Sequence, residues 1–258
     1  MKLAGKVAVV TGSGNLRGIG RGIVESLAED GADIVLHYRS KEAEALQIAE
    51  ELRLMGRRAC AIQADLGQPT QVERFMDEAE AAFGRIDILV NNAGVCYWER
   101  VAEITDENFQ AMINLNLGAT LACSRRAARA MRLRGEGGRI IQISSLQSKR
   151  PSLTMGIYSA TKAGMDHLTQ SMALELAPYG ITVNQVLPGW IDTDINLSKP
   201  GQQSEEGRRK ALETLPLGFQ ATPRDVGQAV SYLCGESGRA ITGAFIKVDA
   251  GAFIKCLL

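Results

Sequence analysis

The sequence lacks an excess of charge of either sign. Its 258 residues include 29 Lys and Arg and 29 Asp and Glu, so the formal net charge is zero. Without a cationic footprint, a nucleic-acid partner is not expected. Aromatic residues make up only 5% and prolines number only 7, whereas hydrophobic residues reach 45%. This hydrophobic share excludes intrinsic disorder for the chain as a whole and predicts a large buried core.

Cysteines are few and show no paired spacing. Their number is odd, and no C-x-x-C motif joins them: Cys60, Cys96, Cys123, Cys234 and Cys256. A chain of this length does not need disulfides for stability, so the pattern favours reduced thiols packed as small core residues.

The sequence also lacks a cluster of residues with metal-ligand spacing and a segment long enough to cross a membrane. His37 and His167 have no partners at metal-ligand spacing, and Asp192 and Asp194 are two loop carboxylates, so no metal site is predicted. No apolar run approaches the roughly 18 residues of a membrane span. The first residues, MKLAGKVAVVTG, enter a strand pattern directly, without the signature of a leader. We therefore expect a cytoplasmic protein without a membrane partner.

Short apolar runs rich in β-branched residues alternate with longer helical patterns. Strands are predicted over 7–10, 33–38, 59–63, 86–90, 138–143, 181–186 and 244–248. Helices are predicted over 19–29, 41–55, 68–83, 107–134 (one extended helix) and 157–177. Strands that are apolar nearly throughout are typical of a parallel sheet covered on both faces. With right-handed crossovers, the pattern predicts an α/β fold: a Rossmann-type, doubly wound, seven-stranded parallel sheet in a single domain over 1–258.

One long polar stretch interrupts this alternation. Residues 196–209 (NLSKPGQQSEEGRR) lack strand character and follow the carboxyl end of the sixth predicted strand. Ligands bind at that edge of an open α/β sheet, and long loops are usually functional or mobile. We therefore predict a substrate lid over 194–216, with a plain surface excursion as the alternative.

A glycine-rich loop joins the first strand to the first helix, with the sequence Thr11-Gly12-Ser13-Gly14-Asn15-Leu16-Arg17-Gly18-Ile19-Gly20. Glycines let the backbone turn tightly and approach a pyrophosphate, which then meets the N–H groups at the helix N-terminus. Other tight strand–helix turns also require glycine. The position after the first strand nevertheless favours a dinucleotide site.

Tyr158 and Lys162 lie four residues apart in a predicted helix, so they share one face with Cβ atoms about 5–6 Å apart. A free phenol with a pKa near ~10 is a poor acid–base catalyst at neutral pH. A neighbouring ammonium group favours the phenolate. The alternative is an aromatic ring that packs on a lysine stem.

Taken together, the motifs resemble the short-chain dehydrogenase/reductase family from residue 5 to about residue 251. Besides the glycine loop and the Tyr158/Lys162 pair, the matching segments are Ala64-Asp65-Leu66, Asn91-Asn92-Ala93-Gly94, Asn114-Leu115-Asn116-Leu117-Gly118, Ile143-Ser144-Ser145, and Leu187-Pro188-Gly189 followed by Thr193. Segments 34–66 and 85–95 are similar to two groups of the family, the 3-oxoacyl-acyl-carrier-protein reductases and the aldose (glucose or rhamnose) 1-dehydrogenases.

The resemblance implies an NAD(P)-dependent oxidoreductase that interconverts a carbonyl and an alcohol by hydride transfer. Tyr158 would be the general acid in reduction and the base in oxidation. Lys162 would lower the pKa of the phenol and hold the nicotinamide ribose, and Ser145 would orient the substrate oxygen. Asn116 resembles the Asn of the family that kinks its helix and holds a water relaying protons to the lysine.

Further positions are implied for cofactor and substrate. The implied cofactor-binding residues are Gly12, Ser13, Asn15, Arg17, Gly18, Ile19, Gly20, Arg39, Ser40, Asp65, Leu66, Asn92, Ala93, Gly94, Tyr158, Lys162, Pro188, Gly189, Ile191 and Thr193. The predicted substrate pocket comprises Ser145, Leu146, Tyr158, Cys96, Trp98 and Trp190. Packing is the alternative role for Leu146, Cys96 and the two tryptophans.

Two segments depart from the pattern of the family. Five residues, Ser13 to Arg17, separate the first glycine from Gly-Ile-Gly, where the family usually has three. The resemblance therefore does not fix the conformation of this turn. Asp249-Ala250-Gly251 stands where the family commonly has Asp-Gly-Gly, a change that we expect to be tolerated.

The end of the second predicted strand bears on the choice of nicotinamide cofactor. NAD-dependent enzymes normally have an acid there for the ribose 2′-hydroxyl, but this chain has His37-Tyr38-Arg39-Ser40 and no carboxylate until Glu42. Arg39 and Arg17 are suited to a 2′-phosphate. We therefore predict that NADP(H) is preferred over NAD(H).

Two expectations concern assembly and class. The apolar faces of the predicted helices 107–134 and 157–177 look like the surfaces that this family pairs between subunits, so the resemblance implies a homotetramer. A non-catalytic NADP-binding sensor or scaffold of the same fold is the alternative to an enzyme. The complete set of Asn116, Ser145, Tyr158 and Lys162 favours the enzyme.

Overall fold

The apolar runs of the sequence form the strands of one sheet. A computed structural model describes residues 1–193, 204–213 and 215–254. Within them lie β1 (Val7–Val10), β2 (Asp33–Tyr38), β3 (Ala59–Gln63), β4 (Ile88–Asn91), β5 (Gly138–Ile143), β6 (Ile181–Pro188) and β7 (Phe245–Val248). All seven pair in parallel, in the order β3-β2-β1-β4-β5-β6-β7. The order reverses at β1, as in a doubly wound sheet.

Helices cover both faces of this sheet. The described helices are α1 (Ile19–Glu29), α2 (Glu42–Leu54), α3 (Pro69–Phe83), α4 (Asp106–Met112), α5 (Thr120–Arg134), α6 (Gly156–Leu176), α7 (Glu205–Leu212) and α8 (Pro223–Cys234). Successive β1 residues point to opposite faces: Ala8 and Val10 pack with α1, α2 and α8, whereas Val7 and Val9 pack with α3, α5 and α6. The predicted fold class is therefore confirmed.

The predicted extended helix, residues 107–134, contains a feature that its periodicity did not indicate. Thr105 caps the start of α4, where its hydroxyl accepts a hydrogen bond from the Asn108 amide. Between α4 and α5, residues Ile113–Ala119 form a π-helical segment. Such segments occur mostly as single turns inside α-helices and often lie at functional sites.

Helix α8 was missed by the sequence analysis, although a local signal for it exists. Thr222 and Asp225 form a capping box in which each side chain accepts a hydrogen bond from the other's backbone N–H, and Pro223 occupies the first turn. This arrangement is a known helix start.

The predicted lid over 194–216 lies largely outside the described residues. Its described part contains α7, and both the lid and the domain extent of 1–258 remain predictions. Among the described residues, no helix is long and apolar enough to cross a membrane.

Candidate active site

The glycine loop lies at the carboxyl end of β1, where the sheet order reverses. Gly12 has a φ of +64°, and a Cβ there would lie 2.8 Å from the Cα of Ala93. A Cβ on Gly20 would lie 2.5 Å from the carbonyl oxygen of Gly12. Both positions therefore require glycine, and the loop packs directly on the segment after β4.

Polar contacts bind these two segments together. The Asn92 Nδ2 donates to the carbonyl oxygens of Thr11 and Gly12, at 3.0 and 2.8 Å. The hydroxyl of Thr11 accepts from the amides of Asn92 and Ala93, at 2.9 and 3.0 Å. Ser13 is fully buried, and its hydroxyl donates to the carbonyl of Val10 at 2.8 Å. Ser13 therefore contributes its side chain to the loop itself.

The longer part of the loop has a defined conformation that the resemblance did not fix. Asn15 Oδ1 accepts from the Arg17 amide at 2.9 Å, and the Leu16 amide donates to Glu44 Oε2 at 2.8 Å. Helix α1 then starts after Gly18, and no side chain of a described residue caps it. Its first turn can therefore receive an anion.

Arg17 extends from this loop towards the segment after β6. Its guanidinium lies 3.3 Å from the Asp192 carboxylate, and both side chains are exposed. In the same segment, Ile191 and Thr193 are buried, and a Cβ on Gly189 would lie 2.7 Å from the Cβ of Asp249. The Arg17–Asp192 ion pair thus joins the glycine loop to the segment after β6.

The departure at Asp249-Ala250-Gly251 has a backbone explanation. Ala250 has a φ of +51°, in the left-handed region that favours glycine. The Asp249 carboxylate accepts from the amides of Gly251 and Phe253, at 3.0 and 2.9 Å. These two hydrogen bonds stabilise the turn in which alanine holds this conformation.

A cavity of about 600 Å³ opens beside the carboxyl ends of β2 and β3. Arg39, Asp65, Val95 and Leu115 are among its lining residues. Leu66, by contrast, has a side chain that is buried in the core on the α3 face. Arg39 and Asp65 are therefore brought to one cavity, whereas the Leu66 side chain has a packing role.

Lys162 is buried on α6, and its ammonium donates to the Ile143 carbonyl at 2.9 Å. Burial lowers the pKa of Lys162 to about 8, with the nearby Cys96 and Asp166 acting in the opposite direction. A Cβ on Gly94 would lie 3.6 Å from Nζ. The Lys162 ammonium is thus packed closely against the segment that follows β4.

Tyr158 lies one turn before Lys162, with its ring centroid 5.7 Å from the ammonium. Its hydroxyl is hydrogen-bonded to that of Ser145. Burial raises the pKa of Tyr158, and Cys96 acts in the same direction, whereas the hydrogen bond to Ser145 lowers it. Burial of the phenol disfavours the phenolate, and the lowering of this pKa by Lys162 remains a prediction.

Asn116 lies in the π-helical segment and links three parts of the site. Its side chain pairs with the Val95 backbone, since Oδ1 accepts from the amide and Nδ2 donates to the carbonyl, each at 2.9 Å. Nδ2 also lies 3.2 Å from the hydroxyl of Thr161, the neighbour of Lys162. The helix distortion that the resemblance implied at Asn116 is therefore present as a π-helical turn.

The sequence analysis missed a clamp between α6 and the loop that carries Ser145. Asp166 is buried one turn beyond Lys162 and forms an ion pair with Lys149 at 2.8 Å. The Ser144 hydroxyl also donates to Asp166, at 3.4 Å. The spacing of four residues between Lys162 and Asp166 was the only sequence signal for this clamp.

The predicted substrate-pocket residues differ in environment. Leu146 is buried, whereas Cys96, Trp98 and Trp190 are half-buried. Cys96 affects the pKa of both Tyr158 and Lys162, so it lies beside the pair. Among the described residues, no group of three or more His, Cys, Asp or Glu is arranged to hold a metal ion.

Comparison with known proteins defines the class. The family described as enoyl-(acyl carrier protein) reductase matches residues 12–252. The L-rhamnose 1-dehydrogenase (NAD(P)(+)) of Azotobacter vinelandii is 38% identical over 258 residues, which cover 99% of each chain. The chain belongs to the short-chain dehydrogenase/reductase family of oxidoreductases, as its motifs predicted.

Solved structures agree with this assignment. A blue fluorescent protein from a metagenomic library, in complex with NADPH, is 38% identical with a TM-score of 0.89, over 98% of this chain and 99% of that one. A short-chain dehydrogenase from Burkholderia cenocepacia, in complex with NADP, is 37% identical with a TM-score of 0.89, over the same shares.

Proposed function

We propose that the chain is an NADP(H)-preferring oxidoreductase that interconverts a carbonyl and an alcohol, with Tyr158 as the acid and base. The observation that carries this proposal is the hydrogen-bonded pair of Tyr158 and Ser145 hydroxyls beside the buried ammonium of Lys162. A protein that only binds a dinucleotide has no need of this arrangement.

The residues of the chain have distinct tasks in this proposal. The bound nicotinamide supplies or accepts the hydride. In reduction, the Tyr158 hydroxyl donates its proton to the carbonyl oxygen, and the Ser145 hydroxyl donates a hydrogen bond to the same oxygen. Lys162, with a pKa of about 8, is placed to return a proton to the phenol. Asn116 fixes the segment after β4 against α6.

Three features of the structure support a dinucleotide at the glycine loop. Gly12 and Gly20 leave no room for a Cβ, so the loop makes the tight, closely packed strand-to-helix turn that is typical of a dinucleotide site. The first turn of α1 offers its N–H groups to an anion. The cavity with Arg39 and Asp65 lies next to these elements and suits the adenosine part. The NADPH and NADP complexes of two relatives agree with this assignment.

The preference for NADP(H) is supported by the charges at the end of β2. Arg39 is exposed at the cavity, and His37 and Tyr38 stand where an NAD-binding enzyme has an acid. Glu42, the first carboxylate after the strand, accepts a hydrogen bond from the Tyr38 hydroxyl at 3.2 Å. A ribose 2′-phosphate therefore meets a cation at this point.

Replacing Arg39 with alanine tests this preference. We expect the Kd for NADPH to rise by about 10- to 100-fold, since a hydrogen bond to a charged group contributes about 1.5–3 kcal/mol. The Kd for NADH should change less than about twofold, because NADH lacks the phosphate. Fluorescence titration measures both constants, with Arg239→Ala as the control at an exposed arginine. Equal affinity of the unchanged protein for NADH and NADPH would contradict the preference.

The substrate class is narrowed by the relatives. The L-rhamnose 1-dehydrogenase, at 38% identity over nearly the whole chain, favours an aldose oxidised at its anomeric carbon. The second candidate is a 3-oxoacyl thioester, because segments 34–66 and 85–95 are also similar to the 3-oxoacyl-acyl-carrier-protein reductases, and the matching family model is itself described by an acyl-carrier-protein reductase. Both reactions interconvert a carbonyl and an alcohol at the same residues.

Nicotinamide absorbance with two substrate panels tests the function. One panel combines NADP⁺ with aldoses, and the other combines NADPH with 3-oxoacyl thioesters and simple ketones. We expect turnover in the aldose panel. Turnover of thioesters alone would favour the second candidate, and cofactor binding without turnover in either panel would favour the non-catalytic sensor or scaffold.

The proposal also includes a homo-oligomer, in the form of a tetramer. Leu121 and Leu133 on α5 and Leu174 on α6 are exposed, with 46%, 91% and 80% of their surface accessible. Exposed apolar side chains on neighbouring helices are typical of contact surfaces between proteins. These leucines support the prediction that the two helices pair between subunits.

A further inference from the structure

His37 occupies a buried position between the glycine loop and the segment after β3. Its side chain is 3% exposed. Nδ1 accepts from the Gly12 amide at 2.8 Å, and Nε2 lies 3.0 Å from the Ala64 carbonyl oxygen. The His37 carbonyl also accepts from the amides of Ser13 and Gly14, at 3.0 and 3.2 Å. One residue therefore holds two segments that are distant in sequence.

The two ring contacts fix the protonation state of His37. The Gly12 amide can only donate, so Nδ1 must present its lone pair. The Ala64 carbonyl can only accept, so the proton lies on Nε2. Burial lowers the pKa of His37 to about 4, although the hydrogen bond to Ala64 and the charge of Asp65 act in the opposite direction. The ring is thus uncharged at neutral pH.

The His37 ring also packs against an aromatic side chain of helix α3. Phe75 of α3 meets the His37 ring edge to face, with centroids 5.0 Å apart and an angle of 72° between planes. An apolar side chain could keep this packing. It would, however, leave the half-buried Gly12 amide and the carbonyl of the buried Ala64 without their side-chain partner.

Both contacts of the ring lead to the proposed cofactor site. Gly12 begins the turn that is assigned to the pyrophosphate. Ala64 precedes Asp65, which lines the cavity together with Arg39. A change in either contact would shift the two halves of the site relative to each other.

We propose that His37 is a positioning residue for the dinucleotide: its neutral ring joins the Gly12 amide to the Ala64 carbonyl and so sets the spacing between the pyrophosphate turn and the adenosine cavity. The inference rests on the proposed function, because it assumes that NADP(H) binds at this loop. His37 itself touches backbone groups of the protein, and its effect on the reaction is indirect.

Two substitutions of His37 separate hydrogen bonding from packing. His37→Leu keeps an apolar volume and removes both ring contacts. We expect it to raise the Kd for NADPH by about tenfold or more, which corresponds to the loss of one net hydrogen bond. The kcat at saturating NADPH should fall much less than the affinity. His37→Asn restores an acceptor for the Gly12 amide, and it should recover most of the affinity.

Phe75→Leu is the matched control, because it loosens packing on the same ring without removing its hydrogen bonds. We expect a lower Tm with nearly unchanged Kd for NADPH. Hydrogen exchange at the Gly12 amide gives a second readout, and it should be faster in His37→Leu than in His37→Asn.

The outcomes separate this inference from the proposed function. A wild-type protein that binds neither NADPH nor NADH would overturn both. Normal NADPH binding by the wild type with an unchanged Kd in His37→Leu would overturn the role of His37 alone. An equal rise of Kd in Phe75→Leu would do the same, since packing would then explain the effect.

Discussion

Replacing Tyr158 with phenylalanine is expected to lower kcat by about 10²- to 10⁴-fold, the usual contribution of a positioned general acid or base. The variant keeps the ring near the Lys162 ammonium and loses the hydroxyl that is hydrogen-bonded to Ser145. The Kd for NADPH should stay within about twofold, because the phenol contributes to the proton transfer more than to binding. Steady-state kinetics and fluorescence titration measure the two effects.

Tyr179→Phe is the matched control for this substitution. Tyr179 lies in the 3₁₀ turn after α6, where the Arg132 guanidinium stacks on its ring, and its hydroxyl plays no part in the proposed chemistry. The control should keep full activity. Turnover by Tyr158→Phe at more than about a tenth of the wild-type rate would exclude the phenol as the acid and base.

Replacing Lys162 with methionine is expected to lower kcat by at least about 10²-fold. Methionine fills a similar volume but has no ammonium to donate to the Ile143 carbonyl or to supply a proton towards Tyr158. Lys2→Met, at an exposed lysine, is the control and should leave activity unchanged. A Lys162→Met variant with near-normal turnover would contradict the proposed role of the ammonium.

The same substitution has a measurable effect on stability. The pKa of Lys162 is about 8 in the folded chain and about 10.4 in an unfolded one. Between these values the unfolded state binds more protons, so the free energy of unfolding of the wild type rises with pH, by up to about 3 kcal/mol. Lys162→Met lacks this contribution. Urea unfolding at pH 7 and pH 10 should therefore show wild type gaining stability relative to the variant, and a constant difference would contradict the burial of the charge.

The first and last residues of several strands could be predicted from the sequence, because their apolar runs are bounded by glycine and polar residues. The bounds of β1, β2, β3 and β5 agree with the sequence analysis. The π-helical turn in the long helix could not be predicted in this way. It depends on the contact of Asn116 with Val95, 21 residues earlier, and no local periodicity carries that information.

In the site, too, features with a local sequence signal could be predicted, and features that depend on distant contacts could not. The spacing of Tyr158 and Lys162 predicted that the two side chains lie close together, and they do. The direction of the Tyr158 pKa depends on burial, which the spacing does not reveal. The sequence analysis gave His37 no role because it looked for side-chain ligands. The partners of this ring are backbone groups 25 and 27 residues away. Every residue has a backbone N–H or C=O, so the sequence does not indicate which of them a side chain contacts.

The π-helical turn has a further consequence for how this chain tolerates changes of length. Such a turn is in effect an α-helical turn with one residue added. Deletion of one residue from 113–119 would therefore let α4 and α5 join as an ordinary α-helix, with the contacts of Ser124 to Asn91 and Gln142 retained on the same face. The side chain of Asn116 would lose its reach to Val95. The extra residue places Asn116 against Val95, so activity and Tm of such a deletion variant would show whether this contact matters for the reaction or for folding.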